Sequence, residues 1–189
     1  MSKILIAYGT SEGRTAQIAE HLAAVIREHG HQAFPENIAR GAPAPAGYDA
    51  VIVGASVHRA RHQHHVLEYV RRNRPALEHL PSAFFSVSLA IQDGTDKGRR
   101  EAERYVETFV EETGWCPEKV GLFAGALAYT KYGFLLRWVM RRIARSRGGR
   151  DLDTSRDYVY TDLDAVRRFA EEFLASVVPA EGRSAVTAG

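Results

Sequence analysis

Three stretches of this chain carry residue types whose spacing suits them for chemistry. The first is Gly9-Thr10-Ser11-Glu12-Gly13-Arg14-Thr15, which sets three hydroxyls around a glycine immediately ahead of an amphipathic segment. A helix that starts there has first-turn N–H groups without intrahelical partners, and its dipole adds positive potential, so the loop suits a phosphate. The dinucleotide fingerprint G-x-G-x-x-G and the triphosphate loop G-x-x-x-x-G-K-S/T are both missing, which lowers the rank of nicotinamide dinucleotides and nucleoside triphosphates. The plainer alternative is that Thr10 or Ser11 only caps the helix.

The second stretch holds His58, His62, His64 and His65. Imidazoles four residues apart can share a helix face and a metal. No Cys, Asp or Glu lies among them, however, and Arg59 and Arg61 would repel a cation, so no metal is expected. Two readings stay open: a helix start whose histidines face water, or His58 and Arg59 contacting a ligand, since His titrates near neutral pH and Arg can clamp a carboxylate. Nothing in the spacing of Gln63 or Gln92 singles them out.

The third stretch runs from Lys131 to Arg150, with seven basic residues and no acidic one. The whole chain has a formal charge of only +2, and 18 basic against 23 acidic residues remain outside this block, so the positive charge is a local device. On a helical wheel from about Tyr132 to Arg147, Tyr132, Leu135, Leu136, Val139 and Ile143 share a face opposite Arg137, Arg141 and Arg145, with Trp138 and Arg142 at a border. Ordinary packing with solvated arginines, a nucleic-acid arm and an interfacial membrane helix all fit. The aromatics and the unbroken positive charge favour an anionic membrane surface, contacted by Arg137, Trp138, Arg141, Arg142 and Arg145, and no nucleic acid is expected.

The elements that must position these stretches follow a repeating order. Ile4–Tyr8 and Ala50–Gly54 read as strands buried on both faces, Ala83–Ser88 and Val120–Ala126 as further strands, with a weaker strand around Gln32–Phe34 and another at Asp157–Thr161. Helical periodicity follows the first (Ile18, Ala19, Leu22, Val25, Ile26), the second (Val66, Leu67, Tyr69, Val70) and the third (about Arg99 to Glu112), and a closing helix spans about Asp162 to Val177. Alternation of this kind predicts an α/β fold, a parallel sheet covered by helices on both faces. Ligands of such sheets bind beyond the carboxyl ends of the strands, where the phosphate-type loop lies. We expect a single domain over 1–178, interrupted by a basic helical insertion at 128–156, and a disordered tail at 179–189.

The segment Tyr8–Thr15 resembles the FMN-phosphate loop of the flavodoxins, and the strand spacing resembles their fold. The resemblance implies a three-layer α/β/α domain with a five-stranded parallel sheet in order 2-1-3-4-5 and an insertion in the last strand. Glu12 departs from the pattern, because flavodoxins usually carry a third hydroxyl there; a carboxylate beside a phosphate must turn away or pair, and Arg14 is placed to offset it. Closer still is the family of menaquinone-dependent protoporphyrinogen IX dehydrogenases, which the chain resembles in the acidic loop residue, Gly54-Ala55-Ser56, Pro81–Val87, Ala124–Leu127 and Val159–Asp162.

That resemblance implies an FMN-dependent oxidoreductase that takes electrons from protoporphyrinogen IX or another reduced donor and passes them to menaquinone or another quinone. Thr10, Ser11, Glu12, Gly13, Arg14 and Thr15 would hold the phosphate. The isoalloxazine would lie between Ser56, Val57, His58 and Arg59 and a third loop at Ser86, Val87, Ser88, Leu89 and Ala90. Neither of these loops has an aromatic at its tip, an open arrangement suited to a large flat substrate. No catalytic residue is implied, since the protein positions the flavin rather than supplying a nucleophile.

The alternatives are a flavodoxin-type electron carrier, disfavoured because such carriers are usually strongly acidic, and a regulatory domain that has lost FMN. The single cysteine, Cys116, precludes an internal disulfide and fits a reducing compartment. The N-terminus lacks the pattern of a signal peptide. A cytoplasmic protein held peripherally at the inner face of the cell membrane is the resulting expectation, with self-association left open.

Overall fold

Three apolar runs buried on both faces become the central strands of a five-stranded parallel sheet, with two partly exposed strands at its edges. The computed structural model describes residues 1–92, 94–127, 158–159 and 162–177. The strands are β1 (Lys3–Gly9), β2 (Gln32–Asn37), β3 (Ala50–His58), β5 (Ser82–Ser88) and β6 (Lys119–Ala124), in the spatial order β2-β1-β3-β5-β6; a two-residue strand, β4 (Arg61–His62), folds back on β3. With that short strand set aside, the order is the expected 2-1-3-4-5.

Alternate residues of each strand serve opposite layers, as the two-residue side-chain period of a strand requires. Leu5, Ala7, Val51, Val53 and Phe84 pack against helices α2 (His64–His79) and α3 (Asp96–Thr113), while Ile4, Ile6, Ile52, Phe85 and Val87 pack against α1 (Arg14–Glu28) and α4 (Leu163–Leu174). Each apolar side chain buried this way contributes about 1.5–3 kcal/mol relative to exposure. In the first layer Phe84 and Phe109 stack with ring centroids 4.3 Å apart, and Trp115 meets both edge-on. In the second, Gly54 leaves room for the Phe85 ring: a Cβ there would stand 2.1 Å from Cζ.

Strand ends differ from the sequence expectation in informative ways. β2 continues through Pro35 to Asn37, which an edge strand tolerates because one side of its backbone needs no partner. β3 runs on to His58 and turns back through Arg59 and Ala60, both in the left-handed region at φ 50° and 64°. A two-residue hairpin that matches strand twist needs positive φ at both positions, and pairing of Val57 with His62 and His58 with Arg61 fixes this one.

β6 stops at Ala124. Beyond Gly125, β7 (Ala126–Leu127) pairs antiparallel with β8 (Tyr158–Val159), apart from the main sheet. The chain thus leaves and re-enters at adjacent points. The expected insertion at 128–156, its cationic helix and the tail at 179–189 lie outside the described residues. Helix α4 begins where Asp162 Oδ1 accepts hydrogen bonds from the N–H groups of Asp164 and Ala165, both 3.0 Å.

Candidate functional site

Parallel register brings three strand ends to one edge of the sheet. Gly9 stands beside Ala55, Ala55 beside Ser86 and Ser56 beside Val87, so the connections that follow β1, β3 and β5 open on a common crevice. The first connection is tight. The Thr10 hydroxyl accepts from the Gly13 N–H at 2.9 Å, and Gly13, at φ 88°, takes the left-handed conformation from which α1 departs. No side chain caps α1, so the simple capping role for Thr10 or Ser11 is set aside.

Two side-chain polar atoms of this loop are buried without hydrogen-bond partners. Thr15 is fully buried and its Oγ1 makes no hydrogen bond; Nε of half-buried Arg14 makes none either. Burial also pulls the Arg14 guanidinium below its ordinary pKa. An unpaired buried hydroxyl costs about 1–3 kcal/mol, and a desolvated cation is disfavoured until an anion meets it. Both penalties sit at the N-terminus of a fifteen-residue helix, where an anion is favoured electrostatically. The donor set therefore fits a phosphate monoester. Ser11 is exposed, and Glu12 is half-buried.

The second connection is the β3–β4 hairpin. Ser56 and Val57 are half-buried, and His58 and Arg59 are exposed at its tip. Left-handed conformations at non-glycine residues cost about 1 kcal/mol or more each, so Arg59 and Ala60 are held there by the pairing around them. At the third strand end, Ser86, Val87 and Ser88 still belong to β5 and are buried. The Ser86 hydroxyl turns into the α2/α3 layer and Val87 into the α1/α4 layer, and Leu89 and Ala90 begin the connection that follows. Leu89 is exposed and lies over Gly125, whose N–H donates to the Ser88 carbonyl at 3.0 Å.

The four histidines separate. His58 and His64 face solvent, whereas His62 is buried against Phe84 and Phe109 and meets Ser86 Oγ at 2.9 Å, so a wholly solvated helix start does not describe it. Burial lowers the His62 pKa to about 4 and keeps the ring neutral. His65 is half-buried with an unpartnered Nε2, and its pKa is lowered by burial and then by His64. Among the described residues no three His, Cys, Asp or Glu side chains are grouped to hold a metal.

Gln63, which its spacing does not single out, spans the site. Its Oε1 accepts from the Ser56 N–H at 3.0 Å, while its Nε2 donates to Ser11 Oγ at 3.1 Å and to Ser56 Oγ. Gly9 makes the approach of α2 feasible: a Cβ there would meet Val66 Cγ2 at 2.4 Å and His65 Nε2 at 2.8 Å. The only sequence signal for this arrangement is a glycine ending an apolar strand, which allows a close approach without naming what approaches.

The family model described as a flavodoxin domain matches residues 5–154. A protein of Escherichia coli strain K12 named protoporphyrinogen IX dehydrogenase (quinone) is 34% identical over 171 residues, covering 90% of this chain and 93% of its own. One of the same name from Leishmania major is 34% identical over 175 residues, covering 92% of this chain and 75% of its own. Among solved structures, oxidised flavodoxin 1 from Bacillus cereus superposes with a TM-score of 0.54 at 17% identity, covering 92% of this chain and 98% of that one, a likeness of fold. The strand order, the anion-seeking loop and the extent of these matches agree, and the chain belongs to the flavodoxin-domain family, in the branch of the quinone-linked protoporphyrinogen IX dehydrogenases.

Proposed function

We propose that this protein is an FMN-dependent dehydrogenase that oxidises protoporphyrinogen IX to protoporphyrin IX and delivers the electrons to a quinone. The observation that carries the reading is the pair of unpartnered buried groups, Thr15 Oγ1 and Arg14 Nε, at the start of α1, in a chain 34% identical to a protein of that name. When bound, FMN would supply the redox chemistry that links oxidation of the reduced tetrapyrrole to reduction of the quinone.

The residues of this chain bind and orient. Thr10, Ser11, Gly13, Arg14 and Thr15 hold the phosphate, in the loop that also contains Glu12. Ser56 to Arg59 and Ser88 to Ala90 border the ring, Ser86 and Val87 supporting it from within β5. The exposed tip of the hairpin and the absence of an aromatic there leave one approach to the ring open for a flat substrate. Arg59 stands at that approach, where a guanidinium can pair with a propionate.

Quinones of this kind reside in membranes. No helix among the described residues is long and apolar enough to cross one. The cationic segment 131–150, read from sequence, supplies peripheral attachment to an anionic surface in this proposal.

Purified protein reconstituted with FMN, mixed anaerobically with protoporphyrinogen and a soluble menaquinone analogue, is expected to generate protoporphyrin fluorescence only when flavin and quinone are both present. A yellow protein that exchanges electrons with a reductase but leaves the porphyrinogen untouched would restore the electron-carrier reading.

A further inference from the structure

Gln63 touches both the phosphate-type loop and the ring-bordering hairpin, and its orientation is fixed by chemistry. An amide nitrogen cannot accept from a backbone N–H, so the oxygen must face Ser56 N, 3.0 Å away. Both hydrogens of Nε2 are then committed, one to Ser11 Oγ at 3.1 Å and one to Ser56 Oγ. A serine hydroxyl has one proton to donate and two lone pairs. With a lone pair of each serine engaged by Gln63, each proton is left free to point away from the glutamine.

We propose that Gln63 is a positioning residue that presets the Ser11 and Ser56 hydroxyls as hydrogen-bond donors, Ser11 toward the flavin phosphate and Ser56 toward the acceptor-rich remainder of the flavin. The role rests on the FMN reading. It also couples the two ends of the cofactor site, because one rigid amide plane sets both hydroxyls. A preset donor needs no reorientation when the anion arrives, which is the advantage of preorganised polar groups.

Substitution by the near-isosteric glutamate reverses the arrangement. A carboxylate offers only acceptors, so Gln63→Glu draws the serine protons inward, faces the Ser56 N–H with an oxygen as before, and adds negative charge beside the phosphate. Gln63→Leu removes the amide without adding charge.

The test compares FMN and riboflavin, which differ by the phosphate, through quenching of flavin fluorescence on the full chain. The ratio of the two affinities is the readout, and far-UV circular dichroism reports that each variant is folded. Loss of a hydrogen bond to a charged group lowers affinity by about tenfold or more, so Gln63→Leu is expected to reduce the FMN-to-riboflavin ratio by about tenfold and Gln63→Glu by more. Ser11→Ala alone should reduce it similarly, yet add little in the Gln63→Leu background, since the two act as one unit.

A general structural role for Gln63 would weaken both flavins together and leave the ratio unchanged; that result, or full additivity with Ser11→Ala, overturns the proposal. Failure of the wild-type chain to bind FMN is a separate outcome and removes the cofactor reading itself, and this role with it.

Discussion

His62 and Ser86 are joined across the sheet's α2/α3 face, with the imidazole Nε2 2.9 Å from the serine hydroxyl. Their sequence separation of 24 residues makes this a tie between two connections: His62 anchors the β3–β4 hairpin, and Ser86 sits in β5 just before the third loop. The imidazole also lies 5.1 Å, centroid to centroid, from Phe109. The hairpin that borders the candidate flavin site is therefore pinned from inside the core, which explains how Arg59 and Ala60 are kept in the left-handed region.

That burial predicts an acid-sensitive stability. His62 titrates near 4 in the folded chain against 6.5 for the ordinary group, so between these values the unfolded state binds more protons and stability falls as pH falls. The contribution is complete above pH 6.5 and lost progressively toward pH 4, amounting to about 3 kcal/mol. Urea denaturation of wild type and His62→Gln from pH 7.5 to 4 checks this. The wild-type curve should drop more steeply across the window, and parallel curves would show that His62 is not the group responsible.

Thr15→Val removes an unpartnered buried hydroxyl while keeping the shape of the side chain. Because that hydroxyl has no bond to lose in the ligand-free protein, the flavin-free variant should be as stable as wild type or more stable by about 1 kcal/mol. FMN affinity should nonetheless fall by about tenfold, with riboflavin affected less. Thermal melts with and without each flavin separate the two effects. A variant that loses stability but keeps FMN affinity would remove Thr15 from the phosphate site.

Gly9→Ala places a methyl group 2.4 Å from Val66 Cγ2 and 2.8 Å from His65 Nε2, and must push the start of α2 away from β1. A loss of about 1–3 kcal/mol of stability is expected from such overpacking. The displacement also moves Gln63, so FMN binding should weaken together with stability. Denaturation and flavin titration of the same sample provide the check, and wild-type behaviour in both would contradict the packing described here.

For the cationic segment, changing Arg137, Arg141 and Arg145 to glutamate should abolish sedimentation with anionic vesicles and leave FMN binding intact. Each basic residue near such a surface contributes up to about 1 kcal/mol, screened by salt, so wild-type binding should weaken as salt rises. Indifference of the wild-type protein to anionic vesicles at low salt would end the attachment proposal.

The strand order followed from the resemblance to the flavodoxins, whereas the sequence by itself determined the layers and the location of the candidate phosphate loop. Those features are written in short-range patterns: uninterrupted apolar runs in Ile4–Tyr8 and Ala50–Gly54, helical periods after each, and hydroxyls clustered between Gly9 and Thr15. Such patterns survive without knowledge of any distant contact, because burial on both faces makes a strand a nearly continuous apolar run. The tertiary structure decided what the local pattern leaves undetermined. β3 continues past Gly54 because β5 pairs with Ala55 and Ser56 and β4 with Val57 and His58, His62 is a core residue because Phe84, Ser86 and Phe109 surround it, and Ser11, 52 residues from Gln63, comes within hydrogen-bond reach of it. A polar side chain in a loop has no period to betray its partner. Its role is fixed only when parallel register brings the ends of β1 and β3 together and the start of α2 closes over them.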